Sequence, residues 1–568
     1  MKPYPLVCQL KPYIQPFERI LAVKELATLA GAPPIACPGQ GDEPTNYRVV
    51  SYQPQDYLTD RLTYWEYLAP EIAGDGVEAS AGPPPKGSTP YALDATIGSI
   101  TEISPRQLTR QVRREATTNL IKNGISPIEL QTKLPFRGEV PLQQRRNLRY
   151  GPHGIHEYRG KFFPQLVRSL LNIADAKPSA QILDPMCGSG TTLVEAVLLG
   201  CQAYGLDLNP LSVLVSQVKC DILLVPPDQL VTEYEALKTD LLNVANVQEE
   251  ELIWFRSLKI KDQEYLSNWF APEVLAQLDP IMLRINRISN PACRNLFKVV
   301  LSNIIRKISW QKDDDLRVRR EILADVNIDV MAEFTTELNR SVRTILAFLY
   351  ENQDFAVGQA KVIEGDTRLV DQILNELTRK VDVIITSPPY ATALPYLDTD
   401  RLSLYYLDLL SRSGHRQRDY GMIGNREITN SCRQLYWEKY QQNRHRLTDD
   451  ITSVIDLIHD LNNNEDTGFR RRNLPSLLAR YFLDMRCVFE AITKLLRPGA
   501  PAFVVVGNNH TIAGGRRVEI ETDRLLAQLG EAVGLRLVEK IPMEMLVSRD
   551  IFKKNASNAE TILFFKNN

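Results

Sequence analysis

The chain has 568 residues, of which 44% are hydrophobic and 24% are charged. This composition is typical of globular proteins, and the length predicts roughly two to four domains. The formal net charge is −2, from 67 basic and 69 acidic residues, so any surface for a polyanion has to be local. The eight cysteines form no C-x-x-C pair, and the histidines form no cluster at ligand spacing. The sequence therefore supports neither a metal site nor a disulfide framework.

The sequence also lacks the patterns of membrane insertion and export. No apolar run reaches the roughly 18 residues that a transmembrane helix needs. The amino-terminal stretch MKPYPLVCQLKPYIQPFERI has Pro, Lys and Gln where a signal peptide has a continuous apolar core. We therefore expect a soluble, cytoplasmic protein that is not attached to a membrane.

Residues 1–130 are predicted to form an N-terminal accessory region, separate from the rest of the chain. Within it, PFERILAVKELATLAG has apolar residues at helical spacing, which predicts a helix that ends at Gly31. The stretch at 73–90, AGDGVEASAGPPPKGSTP, is rich in Gly, Pro and Ser and is typical of a linker or an exposed loop.

Residues 150–568 show a different pattern, in which short apolar runs alternate with helical stretches. Seven such runs predict strands: QILD (181–184), AYGLD (203–207), KVIEGD (361–366), VDVIITS (381–387), AFVVVGN (502–508), LRLVEKI (535–541) and TILFF (561–565). Strands that alternate with helices predict an α/β fold with a mainly parallel, doubly wound sheet. Two connections are too long for simple crossovers, which predicts a helical insertion at 221–355 and a polar, Arg-rich insertion at 408–475.

The stretch ILDPMCGSGTTLVEAVLLG predicts a strand, a loop at 185–190 that we call the glycine loop, and a helix that begins near Thr191. Gly188 and Gly190 allow backbone N–H groups to approach a ligand closely, and the start of the helix favours a negative group. The stretch lacks the lysine of the G-x-x-x-x-G-K-[ST] phosphate loop, and Leu193 stands where G-x-G-x-x-G has its third glycine. A generic glycine turn is the alternative interpretation, but the Asp-Pro pair before the loop argues against it.

Acidic residues follow two further predicted strands, at the sheet edge where parallel sheets bind ligands. Asp207, about 20 residues after the glycine loop, suits a ribose diol as a hydrogen-bond acceptor. Asp366 is placed to accept a hydrogen bond from an adenine amino group. A glycine loop, two acidic strand tips and no phosphate-binding lysine predict a ligand that combines a nucleoside with an amino-acid end.

The stretch TSPPYATALPY (386–396) ends the apolar run VDVIIT with two prolines and a tyrosine. Proline cannot donate to a sheet ladder, so residues 387–390, which we call the proline loop, form a short rigid loop at the carboxyl end of a strand. An inert turn that merely ends the strand is the alternative interpretation.

DPMCGSGTT, then LDLNP, then TSPPY resemble, in this order, the motifs of the S-adenosylmethionine-dependent DNA amino-methyltransferases. The upstream HEYRGKFFPQL (156–166) resembles the motif in which that family packs a Phe on the methionine part of the cofactor, which here is Phe163. The motif order resembles the subgroup without circular permutation. The resemblance covers residues 150–220, 360–410 and 480–568, and it does not extend to the first hundred residues or to the two insertions.

The resemblance implies a seven-stranded Rossmann-like methyltransferase sheet, S-adenosylmethionine as the cofactor and double-stranded DNA as the substrate, with no metal. Catalytic roles are predicted for Ser387, Pro388, Pro389 and Tyr390, and cofactor-binding roles for Phe163, Asp184, Pro185, Cys187, Gly188, Gly190, Thr191, Asp207 and Asp366. The reaction would methylate an exocyclic amine of a base that has left the duplex. Ser387 Oγ and the Pro388 carbonyl would accept hydrogen bonds from that amine, while Tyr390 would stack on the base.

The residue before Pro-Pro-Tyr bears on the target base. Ser387 favours cytosine N4, because the adenine-specific relatives more often have Asp or Asn there, and adenine N6 is the alternative. Cytosine C5 methylation needs a nucleophilic cysteine, typically in a Pro-Cys loop, and the chain contains no Pro-Cys dipeptide. The insertion at 408–475, with help from the insertion at 221–355, would read the DNA sequence, within a restriction–modification system whose endonuclease is encoded separately.

Two further interpretations remain at this stage. One is an RNA amino-methyltransferase, for instance one acting on a tRNA guanine, although such enzymes usually have Asp before Pro-Pro-Tyr. The other is an inactive specificity or scaffold subunit. Loss of catalysis usually damages the glycine loop or the proline loop, whereas both are intact here.

Overall fold

A computed structural model of the chain describes residues 3–568, apart from 38–43, 72–106, 123, 135, 137–139, 141–146, 159, 161–162, 243–251, 313–319, 322–327, 354–355, 392–395, 426–427, 464–467 and 545–558. The linker predicted at 73–90 lies outside the described residues. The chain divides into two units, Met1–Asn147 and Leu148–Asn568. No helix in the described ranges is long and apolar enough to cross a bilayer.

The first unit is built on a four-stranded antiparallel sheet, in which the first strand lies between the third and the fourth and the second strand pairs with the third. Its strands are β1 Tyr4–Leu10, β2 Ile35–Ala36, β3 Asn46–Ser51 and β4 Trp65–Pro70, and its helices are α1 Pro16–Ala30, α2 Gln55–Arg61, α3 Arg110–Lys122 and α4 Pro127–Lys133. The helix predicted to end at Gly31 is α1, and Gly31 follows it with a left-handed φ of 78°. Glycine is favoured in this conformation because it has no Cβ.

The second unit contains a seven-stranded sheet made of the seven predicted strands. Its strands are β5 Gln181–Asp184, β6 Gln202–Asp207, β7 Gln359–Glu364, β8 Val383–Thr386, β9 Pro501–Gly507, β12 Leu535–Glu544 and β13 Ala559–Asn567, while β10 Asn509–Ala513 and β11 Arg516–Ile520 form a separate hairpin. The strand order is β12-β13-β9-β8-β5-β6-β7. In the described part of this sheet, the two pairings made by β13 are antiparallel and the other four are parallel, so the predicted mainly parallel sheet is confirmed.

Helices connect the strands and fill the two long gaps. In chain order they are α5 Pro164–Ile173, α6 Thr191–Val197, α7 Pro210–Asp221, α8 Pro227–Leu242, α9 Ile253–Ser257, α10 Ile260–Ser267, α11 Pro272–Arg287, α12 Pro291–Ile305, α13 Val330–Asn352, α14 Val370–Ile373, α15 Tyr396–Thr399, α16 Arg401–Tyr406, α17 Arg412–Gly421, α18 Asn430–Asn443, α19 Asp449–Asn463, α20 Phe469–Leu495 and α21 Thr522–Glu531. Short 3₁₀ turns lie at Gly151–Gly154, Ile222–Leu224, Thr367–Leu369, Asn375–Leu377 and Arg444–Arg446. Helices α7 to α13 separate β6 from β7, and α15 to α20 separate β8 from β9.

The central strands of the sheet are covered on both faces. Leu183, Ile384 and Val504 belong to one buried apolar cluster together with residues of α20 and α21. Ile182 and Phe503, whose side chains point to the opposite face, are equally buried. A sheet of this kind has continuous apolar strands, which is why the short runs in the sequence predicted them correctly.

Helix α20 begins at Phe469, whereas the apolar spacing predicts a helix over 476–496. The helix includes Pro475, whose missing N–H leaves the carbonyl of Arg471 without its intrahelical donor. Asn462 Nδ2 donates a hydrogen bond to that carbonyl at 2.8 Å. A tertiary contact thus replaces the bond that proline removes, and sequence periodicity carries no signal of such a contact.

Candidate active site

The glycine loop connects β5 to α6 at the carboxyl edge of the sheet. It turns at Gly188 (φ 50°) and at Gly190 (φ 76°), both in the left-handed region. A Cβ on Gly190 would lie 2.8 Å from the Cβ of Ser216 in α7. Backbone conformation and close packing therefore both require glycine at 190.

Helix α7 holds the inner side of the glycine loop through two side chains. Ser216 Oγ donates to the carbonyl of Gly188 at 2.7 Å, and Lys219 Nζ donates to the carbonyl of Ser189 at 3.0 Å. Lys219 is fully buried. Neither residue was predicted from the sequence, because both lie outside the motifs and a lysine is expected to be exposed.

The acidic residues at the ends of β5 and β6 also bond to this region. Asp207 accepts hydrogen bonds from the N–H groups of Gly188 at 2.9 Å and Asn209 at 2.8 Å. Asp184 accepts one from the N–H of Met186 at 3.2 Å. Burial raises the pKa of each carboxyl to about 6. The structure thus brings Asp184, Asp207 and the glycine loop together, as the motif order predicts.

The remaining residues of the predicted cofactor site differ in where their side chains lie. Cys187 is buried, and its Sγ lies 3.9 Å from the Oγ of Ser216. Pro185 and Thr191 are buried as well, whereas Phe163 is half-buried at the residue before α5. The thiol of Cys187 therefore packs inside the loop. Burial raises its pKa, which keeps it protonated.

Asp366 lies two residues beyond β7 and already has a charged partner. The guanidinium of Arg368 donates to Asp366 Oδ2 at 2.6 Å and to Asp484 Oδ1 at 3.0 Å. Arg368 also donates to the carbonyl of Gly421, the last residue of α17, at 3.0 Å. The carboxylate predicted to bind adenine is therefore linked to the second insertion, through a residue to which the sequence analysis assigned no role.

Ser189 lies within the glycine loop, and Tyr158 lies beside it. The hydroxyl of Ser189 is buried and has no hydrogen-bond partner among the described residues. A buried hydroxyl of this kind costs free energy unless a ligand or a water molecule satisfies it. A Cβ on Gly188 would lie 3.2 Å from the ring of Tyr158, whose hydroxyl is 3.0 Å from the Oγ of Ser212. Tyr158 therefore forms a wall beside the loop.

The proline loop leaves the sheet from β8, the neighbour of β5. Ser387 Oγ donates a hydrogen bond to the carbonyl of Val505 in β9 at 3.0 Å. Because the hydroxyl proton is used in this bond, the oxygen keeps its lone pairs for accepting. Pro388 is buried, while Pro389 and Tyr390 are half-buried.

Distant elements hold the rest of the proline loop. The hydroxyl of Tyr390 donates to Glu560 in β13, and Asn509 Nδ2 donates to the carbonyl of Ala391, the residue after the loop, at 3.2 Å. Gly424 has a φ of 76°, and a Cβ on it would lie 3.0 Å from the carbonyl oxygen of Tyr390. The sequence analysis assigned no role to Glu560, Asn509 or Gly424, because no motif joins them to the loop.

Known proteins are similar to this chain both locally and over most of its length. The family model described as "UPF0020: RMKL-like, methyltransferase domain" matches residues 156–222, which contain the glycine loop and Asp207. The chain is 24% identical to the type II methyltransferase M.MvaI of Kocuria varians over 73% of this chain and 91% of that protein. It is 25% identical to the type II methyltransferase M.AvaI of Nostoc sp. over 68% of this chain and 79% of that protein.

Over most of its length, the chain is similar to type II methyltransferases. This similarity confirms the resemblance seen in the motifs, and the matched domain supports the predicted cofactor. A local similarity of 40% identity over 52 residues connects it to the tRNA (guanine(10)-N2)-dimethyltransferase of Methanothermobacter thermautotrophicus, over 9% of this chain and 16% of that protein. The similarity to this RNA-directed enzyme therefore covers a far smaller part of the chain than the similarity to the type II methyltransferases. The choice between cytosine N4 and adenine N6 stays a prediction.

Proposed function

We propose that the protein is a site-specific DNA methyltransferase that transfers the methyl group of S-adenosylmethionine to N4 of a cytosine that has left the duplex. The observation that carries this proposal is the geometry of Ser387. Its hydroxyl donates a hydrogen bond to the carbonyl of Val505, so the lone pairs of its oxygen can accept one. Ser387 lies just beyond β8, and β8 pairs with β5, from which the glycine loop leaves the sheet. An exocyclic amine is a donor that fits such an oxygen.

The residues around the glycine loop fit the cofactor. The buried hydroxyl of Ser189 has no hydrogen-bond partner among the described residues. Gly188 is half-exposed and has no side chain, so a ligand can approach its backbone closely. Asp207 keeps room for a ribose hydroxyl, because a carboxylate has about four acceptor positions and the N–H groups of Gly188 and Asn209 take two of them. When bound there, the cofactor supplies an electrophilic methyl group.

The proline loop would activate the amine by orienting it. The lone pair of an amine conjugated to a ring is delocalised, so the nitrogen is a poor nucleophile. Ser387 Oγ and the Pro388 carbonyl would accept hydrogen bonds from its two N–H groups and direct the lone pair toward the methyl group. Orientation and electrostatic stabilisation suffice for this step, without a covalent nucleophile. Tyr390 would stack on the extruded base.

The insertion at 408–475 is proposed to read the DNA sequence, because its first helix lies over the same edge of the sheet. Arg418 in α17 donates to the carbonyl of Leu208 at 3.0 Å, just beyond the tip of β6. Gly424, three residues after α17, touches the proline loop. A restriction–modification system with a separately encoded endonuclease is the proposed setting.

The test is to methylate DNA with the purified protein and S-adenosylmethionine, digest it and identify the nucleosides by mass, with the Ser387→Ala variant as control. We expect N4-methylcytosine from the wild type and little from the variant. N6-methyladenine would overturn the assigned base and keep the mechanism. Methylation of RNA alone would overturn the proposal in favour of the RNA-directed alternative.

A further inference from the structure

The side chain of Tyr390 is tied to the last strand of the sheet. Its hydroxyl donates a hydrogen bond to Glu560 Oε1. Glu560 is the second residue of β13, which runs antiparallel to β9, and it stands opposite Gly507 in the ladder. The two partners are 170 residues apart in the chain, so only the folded sheet brings them together.

Gly507, at the end of β9, supports the ring of Tyr390. A Cβ at this position would lie 3.0 Å from Tyr390 Cε2 and 3.2 Å from Cζ. Gly507 is not among the residues with a positive φ, so its backbone conformation does not require glycine. Close approach does, because a side chain here would push the ring off the strand.

The contact between Tyr390 and Glu560 acts on both partners. Burial raises the pKa of Glu560, and the hydrogen bond from Tyr390 opposes this shift by stabilising the carboxylate. Hydrogen bonds to an ionised acceptor are roughly twice as strong as those between neutral groups. The same bond fixes the direction in which the hydroxyl, and hence the ring, points.

The bond joins the proline loop, which follows β8, to β13, which lies two strands away in the sheet. The pairing of β13 with β9 does not depend on this bond, because the backbone ladder runs from Glu560 and Gly507 to Lys566 and Pro501. What the bond adds is a fixed orientation for the aromatic residue of the proline loop. The backbone of that residue is held separately, by the close approach of Gly424 to its carbonyl.

We propose that Glu560 is a positioning residue that holds the Tyr390 ring in the plane in which it stacks on the extruded base. This inference rests on the proposed function, since it needs a base to stack on. A ring that is held in advance loses less conformational freedom when the base docks, which favours productive binding. Glu560 acts through Tyr390 and does not touch the reacting atoms.

The experiment compares Tyr390→Phe, Glu560→Ala, the corresponding double variant and Glu560→Gln in full-length protein. Glu531→Ala, at an exposed position at the end of α21, is the matched control. Methyl transfer to DNA is measured as kcat and KM, S-adenosylmethionine binding is measured by calorimetry, and Tm is recorded for every variant.

We expect Tyr390→Phe and Glu560→Ala each to lower kcat/KM for DNA about tenfold. The double variant should be no worse than either single variant, because both substitutions remove the same bond. Glu560→Gln keeps an acceptor oxygen and should stay within about threefold of wild type. Cofactor affinity should be unchanged in all of them.

The inference would be overturned if Glu560→Ala kept the wild-type kcat/KM, or if the double variant lost the product of the two single-variant decreases in kcat/KM. It would also be overturned if kcat/KM fell only together with Tm in Glu560→Ala and did not fall in Tyr390→Phe. If Glu560→Ala fails to fold, Tyr390→Phe still tests the bond from its other end. A wild-type protein that methylates no DNA would overturn the proposed function itself, and the inference with it. If the wild type methylates DNA and Glu560→Ala is equally active, the inference is overturned and the proposed function stands.

Discussion

The glycine loop and the proline loop leave the same edge of the sheet from neighbouring strands, yet they are held in different ways. Asp207 and Ser216, which hold the glycine loop, are 19 and 28 residues from the groups they bond. Val505 and Glu560, which hold the proline loop, are 118 and 170 residues from theirs. One loop is shaped within a single β-α-β-α segment, whereas the other depends on the whole sheet, including its last strand.

This difference predicts that cofactor binding and methyl transfer are separable. Substitutions around the glycine loop should act on cofactor affinity, since its supporting residues are close in the chain and contact that loop. Substitutions that act on the proline loop should change methyl transfer and leave the cofactor site intact. Four substitutions test this separation, in order of decreasing expected effect.

Ser387→Ala should have the largest effect. The variant loses the oxygen proposed to hold the amine, and kcat should fall about a hundredfold, as for the loss of one preorganised hydrogen-bonding group in other active sites. Cofactor affinity, measured by calorimetry, should equal that of wild type. A parallel loss of affinity would show that the two loops are not separable.

Gly190→Ala should act on the cofactor side. The new Cβ would lie 2.8 Å from the Cβ of Ser216, at a φ of 76°. We expect S-adenosylmethionine to bind about thirtyfold more weakly, equivalent to about 2 kcal/mol of strain. Gly499→Ala is the control, because its φ of 74° is similar but nothing lies within 4 Å of the added Cβ. The control should lose about 1 kcal/mol of stability and no affinity; equal losses of affinity would contradict the packing argument.

The pH dependence of cofactor binding should follow the charge of Asp207. Burial raises its pKa to about 6, so the ionised acceptor is present above that pH and is lost as the pH falls through it. Affinity for S-adenosylmethionine should therefore be about tenfold lower at pH 5 than at pH 7. Asp207→Asn should flatten the profile. A profile that persists in this variant would point to Asp184, whose pKa burial also raises to about 6.

Asn509→Ala should have the smallest effect. It removes one neutral hydrogen bond to the carbonyl of Ala391, so kcat should fall about threefold with cofactor affinity unchanged. Asn508→Ala is the comparison at the neighbouring position, where Asn508 Oδ1 accepts from the N–H of Asp523 at 3.0 Å. Equal effects of the two substitutions on kcat would remove Asn509 from the support of the proline loop.

Much of the fold was predictable because its signals are local. Each strand of the large sheet is an apolar run that ends at a turn-forming residue, as in VDVIITSPP, and each strand exists in the structure. The end of α1 at Gly31 and the turn at Gly190 depend on the φ of one residue, which glycine permits wherever it occurs. Periodicity failed at the start of α20, because the helix passes through Pro475 with the help of Asn462, which lies outside the helix.

The amino-acid sequence by itself determined the strands, the two loops and the acidic residues at the strand tips, since each depends on the chemistry of a few consecutive residues. Only the tertiary structure decided how these parts are supported. The sheet places β13 beside β9, and this brings Glu560 to Tyr390. The fold of the second insertion brings α17 to Arg368 and Asp366. Such pairings depend on strand order and on long-range packing, which no short stretch of sequence encodes.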